Sequence, residues 1–170
     1  MKNIVFIGMM GSGKSTIAKE ISKKLNVDYY DTDQIIENRE GKTITEIFEL
    51  YGENYFRKLE VDLVKEISRR ENSVISTGGG IVLNPENISL LKENGLIIYL
   101  ENSVDDLVSR LVKESDTRPL LIKNDLHTKI DELLKQREIL YKKNADFIIE
   151  NKKIDITLEK IFKLNILIGG

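Results

Sequence analysis

The sequence predicts an α/β domain in which a central parallel sheet of five strands is covered by helices on both faces. Short apolar runs alternate with segments of helical periodicity along almost the whole chain, and this is the pattern of parallel strands joined by helical crossovers. Three of the apolar runs show no polar alternation, as expected of strands that are buried on both faces. Because 170 residues suit one domain with a substantial core, we assign residues 1–170 to a single domain.

The first two elements enclose a glycine-rich segment. Residues 3–7 form an apolar run that predicts a strand, and residues 14–25 predict a helix because Ile17, Ile21 and Leu25 recur at helical spacing. Between them, residues 8–15 read GMMGSGKS and fit the phosphate-binding pattern G-x-x-x-x-G-K-[ST]. In this pattern the backbone N–H groups and the helix N-terminus surround a phosphate chain. Lys14 is expected to reach the β- and γ-phosphates and Ser15 to bind Mg²⁺.

The later elements continue the alternation. Further strands are predicted at residues 27–30, 73–76, 96–100 and 146–150, and further helices at residues 32–39, 45–51, 54–70, 85–93, 104–113, 127–143 and 156–164. Three helix starts carry capping signals, which are Thr43 with Glu46, Asn84 before Pro85, and Ser103 with Asp106. Residues 114–125 are polar at both ends and join two predicted helices, so we expect a lid at about residues 112–125, with an ordinary surface loop as the alternative.

Two polar segments follow strands at the edge where the phosphate-binding loop also lies. Parallel sheets bind ligands beyond the carboxyl ends of their strands, so these segments are expected to meet in one cleft. Asp31 and Asp33 suit a kinase, in which one carboxylate serves the metal and the other orients or deprotonates the accepting hydroxyl. The alternative is that Asp33 caps the next helix. The run Gly78-Gly79-Gly80 indicates either close approach of a ligand to bare backbone or a plain turn.

Three arginines are candidates for binding an anionic substrate and a migrating phosphoryl group. Arg57 has Glu60 one helical turn away to orient it, Arg118 lies in the expected lid, and Arg137 lies in a long charged helix. The alternative for each is a solvated surface position.

Composition excludes several classes of function. The formal net charge of −2 leaves no global basic surface for nucleic acid or for a membrane. No apolar run approaches the roughly 20 residues that span a bilayer. The chain has no cysteine, so it has no disulfide and no thiolate nucleophile. We therefore expect a cytoplasmic enzyme or switch.

The ordered set of motifs resembles the shikimate kinase family, within the group of P-loop folds that are similar to nucleoside monophosphate kinases. The matching segments are residues 8–16, 31–33, 56–60, 76–80, 118–121 and 137–141, which read GMMGSGKST, DTD, FRKLE, STGGG, RPLL and REILY. The first motif is generic, whereas the other five in this order are specific. The resemblance covers residues 4 to about 146 and implies a three-layer α/β sandwich with a mobile lid and substrate-binding helices at about residues 32–62.

The resemblance also implies an activity and its site residues. The activity is transfer of the γ-phosphoryl group of ATP to the 3-hydroxyl of shikimate, in the pathway towards chorismate and aromatic amino acids. Asp33 is implied as the base and as a ligand of the shikimate hydroxyls. The other implied shikimate-binding residues are Arg57, Arg137, Gly79, Phe48 and Phe56. The implied ATP-binding residues are Gly11, Ser12, Gly13, Lys14, Ser15, Thr16, Arg110 and Arg118. Of these, Arg118 is implied to contact the transferring phosphate and Arg110 to pack against adenine. Ser15 is implied to bind Mg²⁺ directly and Asp31 to bind it through water.

Some features lie outside the resemblance or leave other functions open. Residues 151–155 offer no residue match for the loop that holds the second side of adenine, and the apolar tail at residues 165–170 matches no known motif. A kinase of gluconate or of a nucleoside monophosphate is the nearest alternative, and a nucleotide-gated binding protein without catalysis is another. Because Lys14, Asp33 and Arg118 are intact, we expect a catalytic protein that acts on shikimate. We also expect a monomer that binds neither nucleic acid nor membrane.

Overall fold

The structure, a computed structural model, describes residues 1–114 and 119–164, and its centre is a sheet of five parallel strands. In chain order these are β1 (Asn3–Ile7), β2 (Asp28–Asp31), β3 (Ser73–Ser76), β4 (Gly95–Glu101) and β5 (Phe147–Glu150). Their order across the sheet is β2-β3-β1-β4-β5. At the centre, Val5 of β1 lies between Ile75 of β3 and Ile97 of β4. The predicted α/β class with a five-stranded parallel sheet is confirmed.

Helices connect the strands, and three of them begin at the predicted caps. They are α1 (Lys14–Leu25), α2 (Thr32–Glu40), α3 (Ile44–Tyr51), α4 (Glu53–Ile67), α5 (Pro85–Asn94), α6 (Val104–Glu114), α7 (Pro119–Asn144) and α8 (Ile154–Lys163), with a short 3₁₀ helix at Ile81–Leu83. The Thr43 and Glu46 side chains form the predicted capping box at α3. Asn84 caps α5, and the Ser103 hydroxyl accepts the backbone N–H of Asp106 at the start of α6.

The apolar core is divided between the two faces of the sheet. Side chains alternate along a strand, so Val5 and Ile7 of β1 face one way while Ile4 and Phe6 face the other. Val5 and Ile7 pack in the larger cluster, to which α2 to α7 contribute, and Ile4 and Phe6 pack in a smaller cluster with α1 and α8. All four side chains are buried. Burial on both faces explains why β1 reads as a continuous apolar run.

Three helix boundaries differ from the prediction by two residues or more. The α7 helix begins at Pro119 rather than at residue 127, because proline is well suited to the first turn of a helix and is not only a loop residue. The segment predicted to join α6 and α7, residues 114–125, is therefore already helical from Pro119. In addition, α4 ends at Ile67 rather than at residue 70, and α8 begins at Ile154 rather than at residue 156. Arg118 and the tail at residues 165–170 lie outside the described residues.

Candidate active site

The phosphate-binding loop connects β1 to α1 and depends on backbone conformations that favour glycine. Gly11 and Gly13 have φ angles of 72° and 87°, in the left-handed region. Gly13 is the N-cap of α1 and offers no side chain, so the first N–H groups of the helix are left for an anion. Lys14 is buried, and its Nζ donates to the backbone oxygens of Gly8 and Met9 at 2.9 and 2.8 Å. The loop therefore presents a positive, donor-rich surface.

Burial also changes the acid–base behaviour of Lys14. Desolvation lowers the pKa of the Lys14 ammonium to about 8, although the nearby carboxylates of Asp33 and Asp31 favour the charged form. A lysine with this pKa is still mainly protonated at pH 7. It can therefore contribute positive charge opposite a bound polyphosphate.

Asp31 ends β2 and joins the phosphate-binding loop to α2. The Ser15 hydroxyl donates to Asp31 Oδ2 at 2.7 Å, and the Tyr29 hydroxyl donates to the same oxygen at 3.0 Å. The other oxygen, Oδ1, accepts the backbone N–H of Gln34 and so caps α2. The alternative reading of Asp33 as the helix cap is therefore wrong, because Asp31 performs that role.

The oxygens of Ser15 and Asp31 fit a Mg²⁺ ion. Mg²⁺ takes oxygen ligands in an octahedral shell, and in nucleotide sites one or two protein groups supplement phosphate oxygens and water. The described residues contain no cluster of three or more His, Cys, Asp or Glu side chains that could bind a metal. A Mg²⁺ ion at this hydroxyl and carboxylate would thus take its remaining ligands from the nucleotide and from solvent.

Asp33 lies in the first turn of α2 and points into the cleft beside Gly78. Its Oδ1 atom is buried and receives no hydrogen bond from the part of the chain that the structure describes. Desolvation, supported by the charge of Asp31, raises the pKa of Asp33 to about 6, while the charge of Lys14 opposes the rise. A carboxylate with its pKa near neutrality and a free buried oxygen is suited to accept a proton.

The three consecutive glycines accommodate two side chains of the site. A Cβ atom on Gly78 would lie 2.5 Å from Asp33 Oδ1, and one on Gly80 would lie 2.3 Å from Arg57 Nη2. Gly79 has no such conflict, since its nearest neighbour would be 3.4 Å away. We expected these glycines either to let a ligand approach the backbone or to form a plain turn, and the structure shows a further reason for two of them. Two of the glycines make room for the carboxylate and the guanidinium.

Arg57 is held by two carboxylates of its own helix, α4. Its Nη1 donates to Glu60 Oε2 at 2.9 Å and its Nη2 to Glu53 Oε1 at 3.0 Å. Glu60 is completely buried, whereas Glu53 is exposed. The predicted orientation of Arg57 by Glu60 is confirmed, and it fixes a cation at the cleft wall.

Two cavities, each of about 300 Å³, meet at Asp33. The first is the phosphate cavity, lined by Met10, Gly11, Gly13, Lys14, Ser15, Thr16, Asp31, Asp33, Thr77, Gly79 and Leu111. The second is the arginine cavity, lined by Met10, Asp33, Ile44, Phe48, Glu53, Phe56, Arg57, Glu60, Gly78, Gly79, Gly80 and Arg137. Asp33, Met10 and Gly79 line both. The structure therefore brings the predicted residues Asp33, Arg57, Gly79, Arg137, Phe48 and Phe56 together.

The walls of the arginine cavity combine charge with an apolar surface. The rings of Phe48 and Phe56 lie 5.0 Å apart, centre to centre, and Arg57 lies 5.2 Å from the centre of the Phe56 ring. Arg137 comes from α7, a different helix from the one that carries Arg57. One turn further along α7, the Tyr141 hydroxyl donates to the backbone oxygen of Gly79 and so connects α7 to the glycine segment. Sequence reasoning missed this contact because the two residues are 62 positions apart.

Arg110 lies at a third cavity, the outer cavity, which shares Gly11, Gly13 and Thr16 with the phosphate cavity. This cavity of about 390 Å³ is lined by Gly11, Gly13, Thr16, Arg110, Asn151, Lys152, Lys153 and Ile154. Arg110 Nη2 donates to the backbone oxygen of Asn151 at 2.6 Å, and its Nη1 donates to that of Ser12 at 3.1 Å. Asn151 was not among the predicted site residues, and no local motif distinguishes it.

Comparisons with known proteins point to one family. The family model described as shikimate kinase matches residues 10–164. A shikimate kinase from Caldicellulosiruptor bescii is 46% identical over 98% of this chain and 96% of its own length. One from Clostridium botulinum strain Okra is 47% identical, covering 96% and 95%.

Solved structures give the same result. The shikimate kinase of Acinetobacter baumannii, solved in complex with shikimate, has a TM-score of 0.87 at 34% identity and covers 96% of this chain and 92% of its own. The Aquifex aeolicus shikimate kinase has a TM-score of 0.80 at 35% identity and covers 99% of both chains. Sequence and fold agree, and the chain belongs to the shikimate kinase family.

Proposed function

We propose that this protein transfers the γ-phosphoryl group of ATP to the 3-hydroxyl of shikimate and releases shikimate 3-phosphate and ADP. The observation that supports this most directly is the position of Asp33, which lines both the phosphate cavity and the arginine cavity. A residue at that junction can contact the acceptor hydroxyl while the donor phosphate lies on its other side. Family membership supports the choice of acceptor and donor.

The arginine cavity has the chemistry to bind shikimate. Arg57 and Arg137 are cations from two different helices, and a planar guanidinium can form two parallel hydrogen bonds with a carboxylate. Glu60 holds Arg57 in place, which lowers the entropy that would be lost on binding. Phe48 and Phe56 offer an apolar wall to the carbon ring. These groups would orient the 3-hydroxyl towards Asp33.

Asp33 is proposed as the base. Its pKa of about 6 leaves it mainly ionised at pH 7, yet makes it a stronger base than an ordinary aspartate. The hydroxyl oxygen of shikimate forms a bond with the γ-phosphorus while the bond from that phosphorus to the ADP oxygen breaks. The hydroxyl proton passes to Asp33, and the electron pair of the broken bond leaves with ADP.

The phosphate cavity is proposed to neutralise the charge of the transferring group. Lys14 and the free N–H groups at the start of α1 face the phosphates, and phosphoryl transfer depends mainly on positioning and charge of this kind. Ser15 and Asp31 would hold Mg²⁺, which neutralises phosphate charge when bound. Arg118, outside the described residues, is proposed to reach the same phosphate from a lid at about residues 112–125.

The remaining assignments concern the base of the nucleotide and the setting of the enzyme. We propose that adenine occupies the outer cavity against Arg110. We further propose that the enzyme is a cytoplasmic monomer. Within residues 1–114 and 119–164, no helix is both long and apolar enough to cross a membrane.

The test is a coupled assay of ADP release from ATP and Mg²⁺ with shikimate, gluconate, AMP or no acceptor. We expect a strong rate with shikimate alone. A rate with gluconate or AMP that equals the rate with shikimate would contradict the proposed acceptor. No response to shikimate, together with normal ATP binding, would refute the proposed reaction.

A further inference from the structure

The phosphate-binding loop is fixed by side chains that donate hydrogen bonds to its carbonyl groups, as well as by its own glycines. When its N–H groups point at a phosphate, its carbonyl groups point outward and need donors of their own. Arg110 Nη1 donates to the backbone oxygens of Gly11 and Ser12 at 3.3 and 3.1 Å. Asn151 Nδ2 donates to the Ser12 oxygen at 2.7 Å, which is the shortest of these contacts. The orientation of the peptide groups in the loop therefore depends on two residues, Arg110 and Asn151, that are distant in sequence.

Asn151 is itself fixed at each of its polar groups. Its Oδ1 accepts from the Thr157 hydroxyl at 2.8 Å, and its backbone N–H donates to the Glu101 oxygen at 2.9 Å. Its backbone oxygen accepts from Asn102 Nδ2 at 2.7 Å and from Arg110 Nη2 at 2.6 Å. The residue is 1% exposed. An amide held at both ends in this way has one orientation, with its donor towards the loop.

The close approach of Asn151 also accounts for one glycine of the phosphate-binding motif. A Cβ atom on Gly13 would lie 2.7 Å from Asn151 Nδ2, so only glycine leaves room for the amide. Asn151 begins the segment that continues through Lys152 and Lys153 to Ile154, and these residues line the outer cavity with Arg110. The wall of that cavity and the anchor of the phosphate-binding loop are therefore one continuous piece of chain.

We infer that Asn151 is a positioning residue that orients the phosphate-binding loop through the Ser12 carbonyl and couples it to the outer cavity. This inference rests on the proposed use of ATP, whose base would occupy the outer cavity while its phosphates occupy the loop. Asn151 then helps the loop to bind phosphate even when no base is present. A residue that merely contacts the base would have no such effect.

The experiment compares two ligands that differ in the base. Mg²⁺–tripolyphosphate carries phosphates without adenine, whereas Mg²⁺–ADP carries both, and calorimetry gives Kd for each. We expect Asn151→Ala to weaken tripolyphosphate binding by about three- to tenfold, the usual effect of one lost hydrogen bond. ADP binding should weaken by at least as much. Thr157→Val, which removes the donor that orients the amide, should weaken both ligands in the same direction but less.

Asn94→Ala is the matched control. Asn94 Nδ2 also donates to a backbone oxygen, that of Ser68, but at the opposite end of the strands from the site. The Kd values of Asn94→Ala for tripolyphosphate and for ADP should equal those of the wild type. The inference is overturned if tripolyphosphate binds Asn151→Ala and Thr157→Val as tightly as it binds the control, even when ADP binding weakens. It is also overturned if the wild type does not bind tripolyphosphate.

These binding measurements separate the inference from the proposed function. Shikimate-dependent ADP release by the wild type tests the reaction, and its absence would refute only the reaction. Unfolding midpoints of the variants show whether they fold. A normal midpoint with weaker tripolyphosphate binding supports Asn151 as a positioning residue.

Discussion

Replacing Asp33 with asparagine is expected to abolish most of the activity and, at the same time, to stabilise the protein. The buried Oδ1 of Asp33 receives no hydrogen bond from the described residues, so the substitution removes a charge without breaking a bond at that atom. Loss of the base should lower kcat by about 10²- to 10⁴-fold. An isosteric amide keeps the shape beside Gly78.

The size of the stabilisation follows from the pKa. A carboxyl whose pKa rises from 3.8 to about 6 on folding costs about 3 kcal/mol of folding free energy when it is fully ionised. The opposing charge of Lys14 is already contained in this pKa. Part of the gain is lost in the variant, because the amide that replaces the carboxyl is also desolvated in the cleft. We therefore expect a net gain of about 1–2 kcal/mol at pH 7.5, with Tm rising by about 2–4 °C for each kcal/mol.

The stability difference between the wild type and Asp33→Asn should depend on pH. Because the pKa of Asp33 is raised in the folded state, the protonated form stabilises the protein fully below pH 3.8, and this contribution is lost as the pH rises through about 6. The wild type should lose stability relative to Asp33→Asn between about pH 4 and pH 7. The difference between the two should then stay constant up to pH 7.5.

Thermal unfolding from pH 4.5 to 7.5, with the coupled ADP assay in parallel, tests this prediction. Asp62→Asn serves as the control, since Asp62 is an exposed aspartate of α4, and its stability difference should not follow this pH course. A variant that is less stable than the wild type at pH 7.5, or a difference that does not change with pH, would refute the electrostatic reasoning. Activity near the wild-type rate would refute the role of Asp33 as the base.

Three further changes test other parts of the site. Glu60→Gln removes the buried partner of Arg57, so KM for shikimate should rise about tenfold or more while KM for ATP stays constant in steady-state titrations; equal changes in both constants would contradict this. Gly80→Ala places a Cβ 2.3 Å from the Arg57 guanidinium and should raise KM for shikimate and lower Tm. Gly79→Ala, whose Cβ would lie 3.4 Å from its nearest neighbour, should keep the wild-type Tm but lose activity, because Gly79 lines both cavities. The reverse order of Tm values would show that the packing argument is wrong. Ser15→Ala removes the hydroxyl expected to bind Mg²⁺, so half-maximal activity should require about tenfold more Mg²⁺ or higher; an unchanged Mg²⁺ titration would exclude Ser15 as a ligand.

Local sequence patterns predicted the elements of the fold because their causes are local. The strand β1 and the helix α1 have the predicted bounds, since burial on both faces and helical spacing are visible within a few residues. The phosphate-binding loop was predictable for the same reason, because its glycines, Lys14 and Ser15 act within eight positions. The start of α7 at Pro119 was not, since proline is compatible with both a loop and a first helical turn.

The prediction of the site was strongest where the chain supplies neighbours in sequence. Glu60 lies one turn from Arg57 on α4, and helical geometry alone brings their side chains together. The separate roles of Asp31 and Asp33 were less predictable, because spacing alone allowed Asp33 to cap the next helix. The tertiary structure decided them by placing Asp31 against Ser15 and leaving Asp33 half-buried beside Gly78, with its Oδ1 atom out of contact with solvent.

The sequence by itself determined the order of strands and helices along the chain, the phosphate-binding loop and the family of this protein. Only the tertiary structure showed that two cavities meet at Asp33, that Gly78 and Gly80 make room for side chains, and that Asn151 reaches Ser12 across 139 positions. The physical reason is that backbone conformation follows from neighbouring residues, whereas burial, pKa and contact between distant residues depend on how the whole chain packs.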